Sequence, residues 1–248
     1  MSKSITKTDS SLLLSDSVDA APNFTADDVM IPRLSILQQA SPQVNKRDGS
    51  YVEGAEPGFI YDSVSMSAID GATGITVVPV TYRRAYIKWK LNRGGFVADL
   101  EDASCLDDCT RGERGEYFTP DGDHEIVVTA EYVVLVLADD GSFSPALLSM
   151  AKSQIKKSRQ WNSIMHRLKI SVDGDGKTIT PSMFFNAYQL SSVEESNDQG
   201  SWFGWSVRSL YGSTGGILNN LTNGEEVYLA ARAFKSQTNI KVSPEDSI

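Results

Sequence analysis

Three observations predict a mainly β protein carrying one or two helices. Long β-branched and aromatic runs recur, among them GITVVPVTYRRAYIKWK from Gly74 and IVVTAEYVVLVLA from Ile126. Glycine and Asp-Gly turns punctuate the chain between such runs, and only the stretch from Leu147 to Ile170 takes on clear helical spacing. Closely spaced strands joined by turns favour an antiparallel sheet.

The 248 residues suffice for one large domain or two small ones, and 40% hydrophobic with 22% charged residues is ordinary for a soluble globular chain. The Leu12–Leu14 run is too short for a signal peptide, and the apolar run Tyr132–Ala138 is too short to cross a bilayer, so no membrane partner is expected. Two cysteines form no disulfide framework, which suits a reducing, cytoplasmic compartment.

Residues 1–26 are rich in Ser, Thr, Asp and Ala and read as a flexible arm, with the folded body over 27–240 and a short acidic tail at 241–248. Between Pro32 and Pro42 a short strand or one or two helical turns both fit. Phe59 to Val64 reads as a strand between turns, and the long strand from Gly74 follows. Residues 99–125, dense in Asp, Glu and Gly, read as a long acidic insertion loop; a loop of this length inside a compact domain is often functional. Ile126 to Ala138 has the continuous apolar character of a central strand buried on both faces, and Phe143 to Leu148 begins its partner.

From Leu148 the spacing predicts a helix with Leu148, Ala151, Ile155, Ser158, Trp161, Met165 and Leu168 on one stripe. Its wet face is cationic. Asp173–Gly176 lacks the later ligand positions of a calcium loop and reads as a turn. ITPSMFFNAYQL reads as a strand, SSVEESNDQG as a polar loop, and EEVYLAARAFKSQ as a final strand in preference to a helix.

Charge is unevenly placed. The formal net charge is −9, yet 74–98 and 147–169 contain no carboxylate. Counting by two from Tyr82 puts Tyr82, Arg84, Tyr86, Lys88 and Lys90 on one strand face, and Arg83, Ala85, Ile87 and Trp89 on the other. Rings alternating with cations suit stacked bases and a phosphate backbone, although half-exposed strands also carry such residues for solubility and edge protection. Arg93 extends the cationic strand; Lys152, Lys156 and Arg159 supply a helical counterpart; Trp202 and Trp205 lie in a glycine-rich segment that either offers rings to bases or plugs the core. The insertion holds five carboxylates between Asp99 and Asp108, which would compete with an anionic ligand for the basic strand.

Signatures of catalysis are missing: the sequence has no phosphate loop with its Lys-Ser/Thr, no HExxH and no GxSxG, so a non-enzyme is expected. Cys105, Cys109 and His124 are one ligand short of a zinc tetrahedron, so neither metal nor cofactor is expected.

A flexible start, basic aromatic strands, one basic helix, a long insertion and an acidic tip ending in a hydrophobe resemble the single-stranded DNA-binding proteins of tailed bacteriophages. The stretches MIPRLSILQQASPQV, ITVVPVTYRRAYIKW and QIKKSRQWNSIM are also similar to segments of uncharacterised phage early proteins. That resemblance implies an OB-like antiparallel barrel, here with a long acidic insertion, and single-stranded DNA as ligand in replication or recombination. It also implies replication or recombination proteins as partners, recruited by the acidic terminus, which here supplies only Glu245 and Asp246. The alternative is a phage structural or protein-interaction module whose cationic faces dock an acidic protein.

Overall fold

The computed structural model describes residues 30–237 apart from 92–93, 114, 173–176, 199 and 214. Contacts divide the chain into two units, 1–31 and 32–248. The arm at 1–26, the tail at 241–248, Arg93 and the Asp173–Gly176 turn fall outside the described residues.

The strands are β1 (Arg33–Ile36), β2 (Ile60–Asp62), β3 (Ser67–Ile69), β4 (Ile75–Lys90), β5 (Phe96–Leu100), β6 (Thr110–Arg111), β7 (Tyr117–Phe118), β8 (His124–Leu137), β9 (Phe143–Ala151), β10 (Ile170–Val172), β11 (Lys177–Ile179), β12 (Tyr188–Asn197) and β13 (Gly200–Ser209). Among the described residues three α-helices accompany them: α1 (Ile155–Arg167), α2 (Gly216–Asn220) and α3 (Gly224–Gln237). The protein is thus mainly β, as composition and turn spacing predict. One 11-stranded sheet follows the path β13-β12-β4-β8-β9-β1-β2-β3, with β5 joined to β4 and β7 to β8. Its pairings are antiparallel except that β1 runs parallel to β9, Arg33 opposite Leu147 and Leu34 opposite Leu148, so the sheet is mixed.

The sheet does not close into a barrel, which corrects the expected OB-like architecture. Side chains meet the free edge of β13 where a closing strand would lie. The Gln38 amide accepts from the Phe203 N–H at 2.9 Å and donates to its carbonyl at 2.9 Å, and Gln154 accepts from the Trp205 N–H at 2.8 Å. A Cβ at Gly204, between them, would press on the Gln154 amide and force it to shift. These contacts satisfy edge groups that would otherwise template another strand.

A bulge between Pro79 and Thr81 divides β4 into two phases. Before it, Val77 lies opposite Val136; after it, Tyr82 lies opposite Tyr132, so odd residues of the first half share a face with even residues of the second. On that face Ile75, Val77, Tyr132, Val134, Leu148, Tyr188 and Trp205 pack under Trp161 and Met165 of α1. On the opposite face Val78, Val80 and Leu135 pack against Ile217 of α2 and Val227 and Ala231 of α3. β8 is buried without a break from Thr129 to Leu135, as its apolar run predicts.

Helix α1 starts later than its stripe suggests: Leu148 and Ala151 belong to β9, and only Ser158, Trp161 and Met165 are its buried face. The β9 register with β8 claims those residues first. The final segment is the helix α3, not a strand; Val227 and Ala231 are buried one turn apart, and Glu225 and Glu226 complement the positive helix start. The polar stretch from Ser191 is not a loop but the outer half of β12, held in register by the rings opposite it, Glu195 against Trp202 and Ser192 against Trp205. The strand expected over Ile179–Leu190 is interrupted by a 3-10 turn at Met183–Phe185, whose Phe184 and Phe185 are buried. The insertion is partly regular: β5 pairs with β4, and β6 and β7 form a small ladder on β8.

Trp161 joins helix to sheet. Its ring stacks on Tyr132 with centroids 4.4 Å apart and meets Tyr188 edge-on at 5.4 Å, while the Tyr132 hydroxyl bonds Ser158 at 2.7 Å and Asn162 at 2.9 Å. Trp161→Ala should lower unfolding free energy by about 3–5 kcal/mol in urea denaturation. Tyr132→Phe should cost about 1–3 kcal/mol by stranding its two polar partners. Equal, negligible losses would show that α1 is not anchored through this stack.

Candidate nucleic-acid interface

The β4–β8 register carries the face of Tyr132 onward: Arg84 lies opposite Ala130, Lys88 opposite Ile126 and Lys90 opposite His124. Tyr82 touches Tyr132 with ring centroids 5.1 Å apart, and Tyr132 in turn stacks on Trp161 of α1. Arg84, Lys88 and Lys90 therefore share one sheet face with α1, whose Lys156 and Arg159 are exposed. Distant in sequence, the two cationic stretches come to the same side.

Not every expected contact residue is available there. Tyr82 is 39% exposed, whereas Tyr86 is 7% and Trp205 3% exposed. Those two are core residues, which corrects their reading as outward rings: Tyr86 is held between β8 and β5 opposite Val128 and Leu100, and Trp205 belongs to the cluster beneath α1. Trp202 is half-buried and its indole N–H donates to Glu195 at 3.1 Å. Of the cations, Lys152 pairs with Glu125 at 3.2 Å. Among the described residues no ion pair holds Arg84, Lys88, Lys90, Lys156 or Arg159.

Arg83 shows the opposite behaviour one residue away. It reaches Asp99 at 2.5 Å and Glu131 at 2.6 Å, on the face turned away from α1. Burial alone would lower its pKa, but the Asp99 hydrogen bond and the Glu131 charge more than offset this and raise it. Asp99 thereby fastens the start of the insertion to the sheet. Further along the insertion, burial pushes both Cys105 and Cys109 thiols above their ordinary values, and Cys109 lies near enough to Asp108 and Lys88 to feel both charges. Both cysteines are free, and among the described residues no group of three or more His, Cys, Asp or Glu side chains gathers as a metal site would need.

Two contributors were not visible in the residue pattern. Glu195, read as part of a loop, takes a bond from Lys157 at 2.9 Å, from Gln154 at 3.0 Å and from Trp202, tying the β12–β13 hairpin to α1. Gln154 holds the neighbouring edge. A carboxylate followed seven residues later by a tryptophan at hairpin register was the available signal, and only the turn position would have exposed it.

These features define a mixed-sheet protein of mainly β structure with a cationic strand-and-helix face, and among the described residues no helix is long and apolar enough to cross a membrane. The chain belongs to the Pam3 phage gp34-like protein family, whose sequence model matches residues 10–241, and it is thus a protein of phage type. No curated protein and no solved structure matches it.

Two expectations follow from the geometry. Tyr86→Ala should unfold the protein more readily, by a few kcal/mol (about 3–5 for a large buried ring), whereas Tyr82→Ala should leave the melting temperature nearly unchanged; equal melting temperatures would return Tyr86 to the surface. Burial pushes the Glu195 carboxyl up, but Lys157, Gln154 and Trp202 hold it below its ordinary value of 4.5. A depressed carboxyl stabilises the folded state above that ordinary value and loses its contribution as pH falls through the folded one. Trp202 fluorescence should therefore change below pH 4.5, and Glu195→Gln should remove that transition; an unaltered acid transition in the variant would place its origin elsewhere.

Proposed function

We propose that this chain binds single-stranded nucleic acid, DNA in the first place, with little sequence preference, along the face shared by β4 and α1. It does so as a non-catalytic protein of phage DNA replication or recombination in the cytoplasm of the infected host, with replication or recombination proteins as partners. One observation carries the reading: Arg84, Lys88, Lys90, Lys156 and Arg159 share a face, free of ion pairs among the described residues, in a chain of net charge −9. Cations left without carboxylates in an acid-rich chain suit a polyanion, whose condensed counterions they release on binding. Tyr82 adds an exposed ring beside them. The reading needs no OB-type barrel, because the cations lie on the open face of a sheet and on one helix.

A second reading has one observation in its favour. Burial of Tyr86 and Trp205 leaves few outward rings, which suits docking of an acidic protein better than stacking of bases. Oligo-dT titration separates the two. Affinity should fall linearly with salt in log-log form, at ~0.7 per phosphate neutralised, and Lys156→Gln should reduce that slope by about one such increment without altering the fold. Tyr82→Ala should weaken oligo-dT binding by ~1–3 kcal/mol at fixed salt, and duplex DNA of equal length should bind less well. Salt-independent binding, preference for duplex, or an unaffected Tyr82→Ala variant would move the assignment to the protein-docking module.

A further inference from the structure

The face turned away from α1 holds a cavity of about 690 Å³, within the ~300–1,000 Å³ usual for small-ligand sites. Its floor is laid by consecutive positions of three strands: Ile87 opposite Val127, Thr129 opposite Ala151, and Glu131 opposite Ser149. Trp89 on β4 and Phe203 on β13 supply aromatic walls.

The ionisable groups at this cavity are biased to one sign. Its two carboxylates are already engaged, Glu131, 5% exposed, by Arg83 from beside the floor, and Glu125 by Lys152 at the mouth. Lys90 also lines the cavity and has no ion pair among the described residues. The balance left for a ligand is positive.

Lys152 adds a second, independent feature. Its φ of 50° puts a non-glycine residue in the left-handed region, where a Cβ is disfavoured, at the junction of β9 and α1. Its side chain is 66% exposed and makes only a solvated ion pair, which contributes too little to offset the backbone strain. Glycine would serve the turn better. A strained position that keeps an ammonium at a cavity mouth is accounted for if the ammonium meets a ligand.

We propose that this cavity is a binding site for a nucleotide, with the base against Trp89 and the phosphate at Lys152 and Lys90. Apolar floor, flat aromatic wall and cationic mouth match the apolar faces of a base and the charge of a phosphate, and the hydroxyls of Thr129 and Ser149 can meet the polar edge of the ring. The floor of the site lies on the other sheet face from the interface described above, and the two share only Lys90, at the end of β4. The nucleotide is either free or one unit of a bound strand.

Calorimetric titration of the full chain with dTMP and dAMP, against thymidine and inorganic phosphate, tests the site. A mononucleotide should bind at least tenfold more tightly than either fragment. Lys152→Gly should lose at least tenfold in that affinity while melting at the same temperature or higher, because glycine relieves the left-handed strain. Ser149→Leu should fill the floor and lose binding with Lys152 intact; Lys152→Gly keeps the test decisive should Ser149→Leu fold poorly. Mononucleotide binding that survives saturating oligo-dT marks the free nucleotide as occupant. Displacement by oligo-dT, or a tenfold fall in oligo-dT affinity in Ser149→Leu or Lys152→Gly alone of the two sheet faces, marks a nucleotide of the strand. Mononucleotide affinity indifferent to both substitutions overturns the proposal, as does the absence of mononucleotide binding together with unchanged oligo-dT affinity in both variants.

Discussion

The bulge between Pro79 and Thr81 is the constraint on which the rest of the molecule depends. A strand of this length with uniform alternation would bury one face and expose the other along its whole run. Before the bulge, ordinary alternation sends Ile75 and Val77 into the core beneath α1 and Val78 into the core beneath α2 and α3; the extra residue then reverses the phase. Past the bulge, the face of Ile75 and Val77 is continued by Tyr82, Arg84, Lys88 and Lys90. Pro79 suits such a position, since it lacks the N–H a regular ladder would demand. One irregularity thus sets the cationic face beside a helix.

The same economy governs the sheet's free edge. Gln38 and Gln154 come from chain segments far apart, yet both turn their amides onto β13, and Gln154 also donates to Glu195 at 3.0 Å. An amide carries both donor and acceptor, so it can take the place of a strand's peptide group without continuing the sheet. The edge is therefore satisfied but not extended. This leaves the sheet open and places the start of α1 against the β12–β13 hairpin.

Much of this was legible from residue patterns, and the exceptions have particular causes. β4 and β8 announced themselves because β-branched runs of that length admit few other structures, only the first part of β9 was read as a strand, and Ser158, Trp161 and Met165 followed from helical spacing. The parallel pairing of β1 with β9 involves two residue pairs and leaves no trace in composition. β12 was hidden because Ser191–Glu195 owe their extended form to the tryptophans across the hairpin, a tertiary effect that overrides local preference. α3 was ambiguous because Val227, Leu229, Ala231 and Ala233 alternate as well as they spiral, and only the packing of Val227 and Ala231 on Val78 and Val80 decides between the two. For the site, alternation from Tyr82 assigned the faces correctly but said nothing of depth: β5 covers Tyr86 and leaves Tyr82 open, and Leu100, the β5 residue opposite Tyr86, lies in the segment read as a loop.

Arg83 and Arg84 bring these threads together, because they differ by one position and by everything around them. The pleat turns Arg83 toward Glu131 and Asp99, where a charge removed from water needs partners close at hand, and both carboxylates bond it. Arg84 faces the opposite way, opposite Ala130, and meets no carboxylate among the described residues. Had the fold required only solubility at this strand, an acid-rich chain could have paired both. It spends its carboxylates instead on Arg83, which fastens the insertion, and on Lys157, which fastens the hairpin, while Lys152 makes a solvated pair at the β9–α1 junction. Structural cations are thus neutralised and those of the shared face are not. A surface so divided suits the anionic ligand proposed above, which would supply the missing charge from outside the chain.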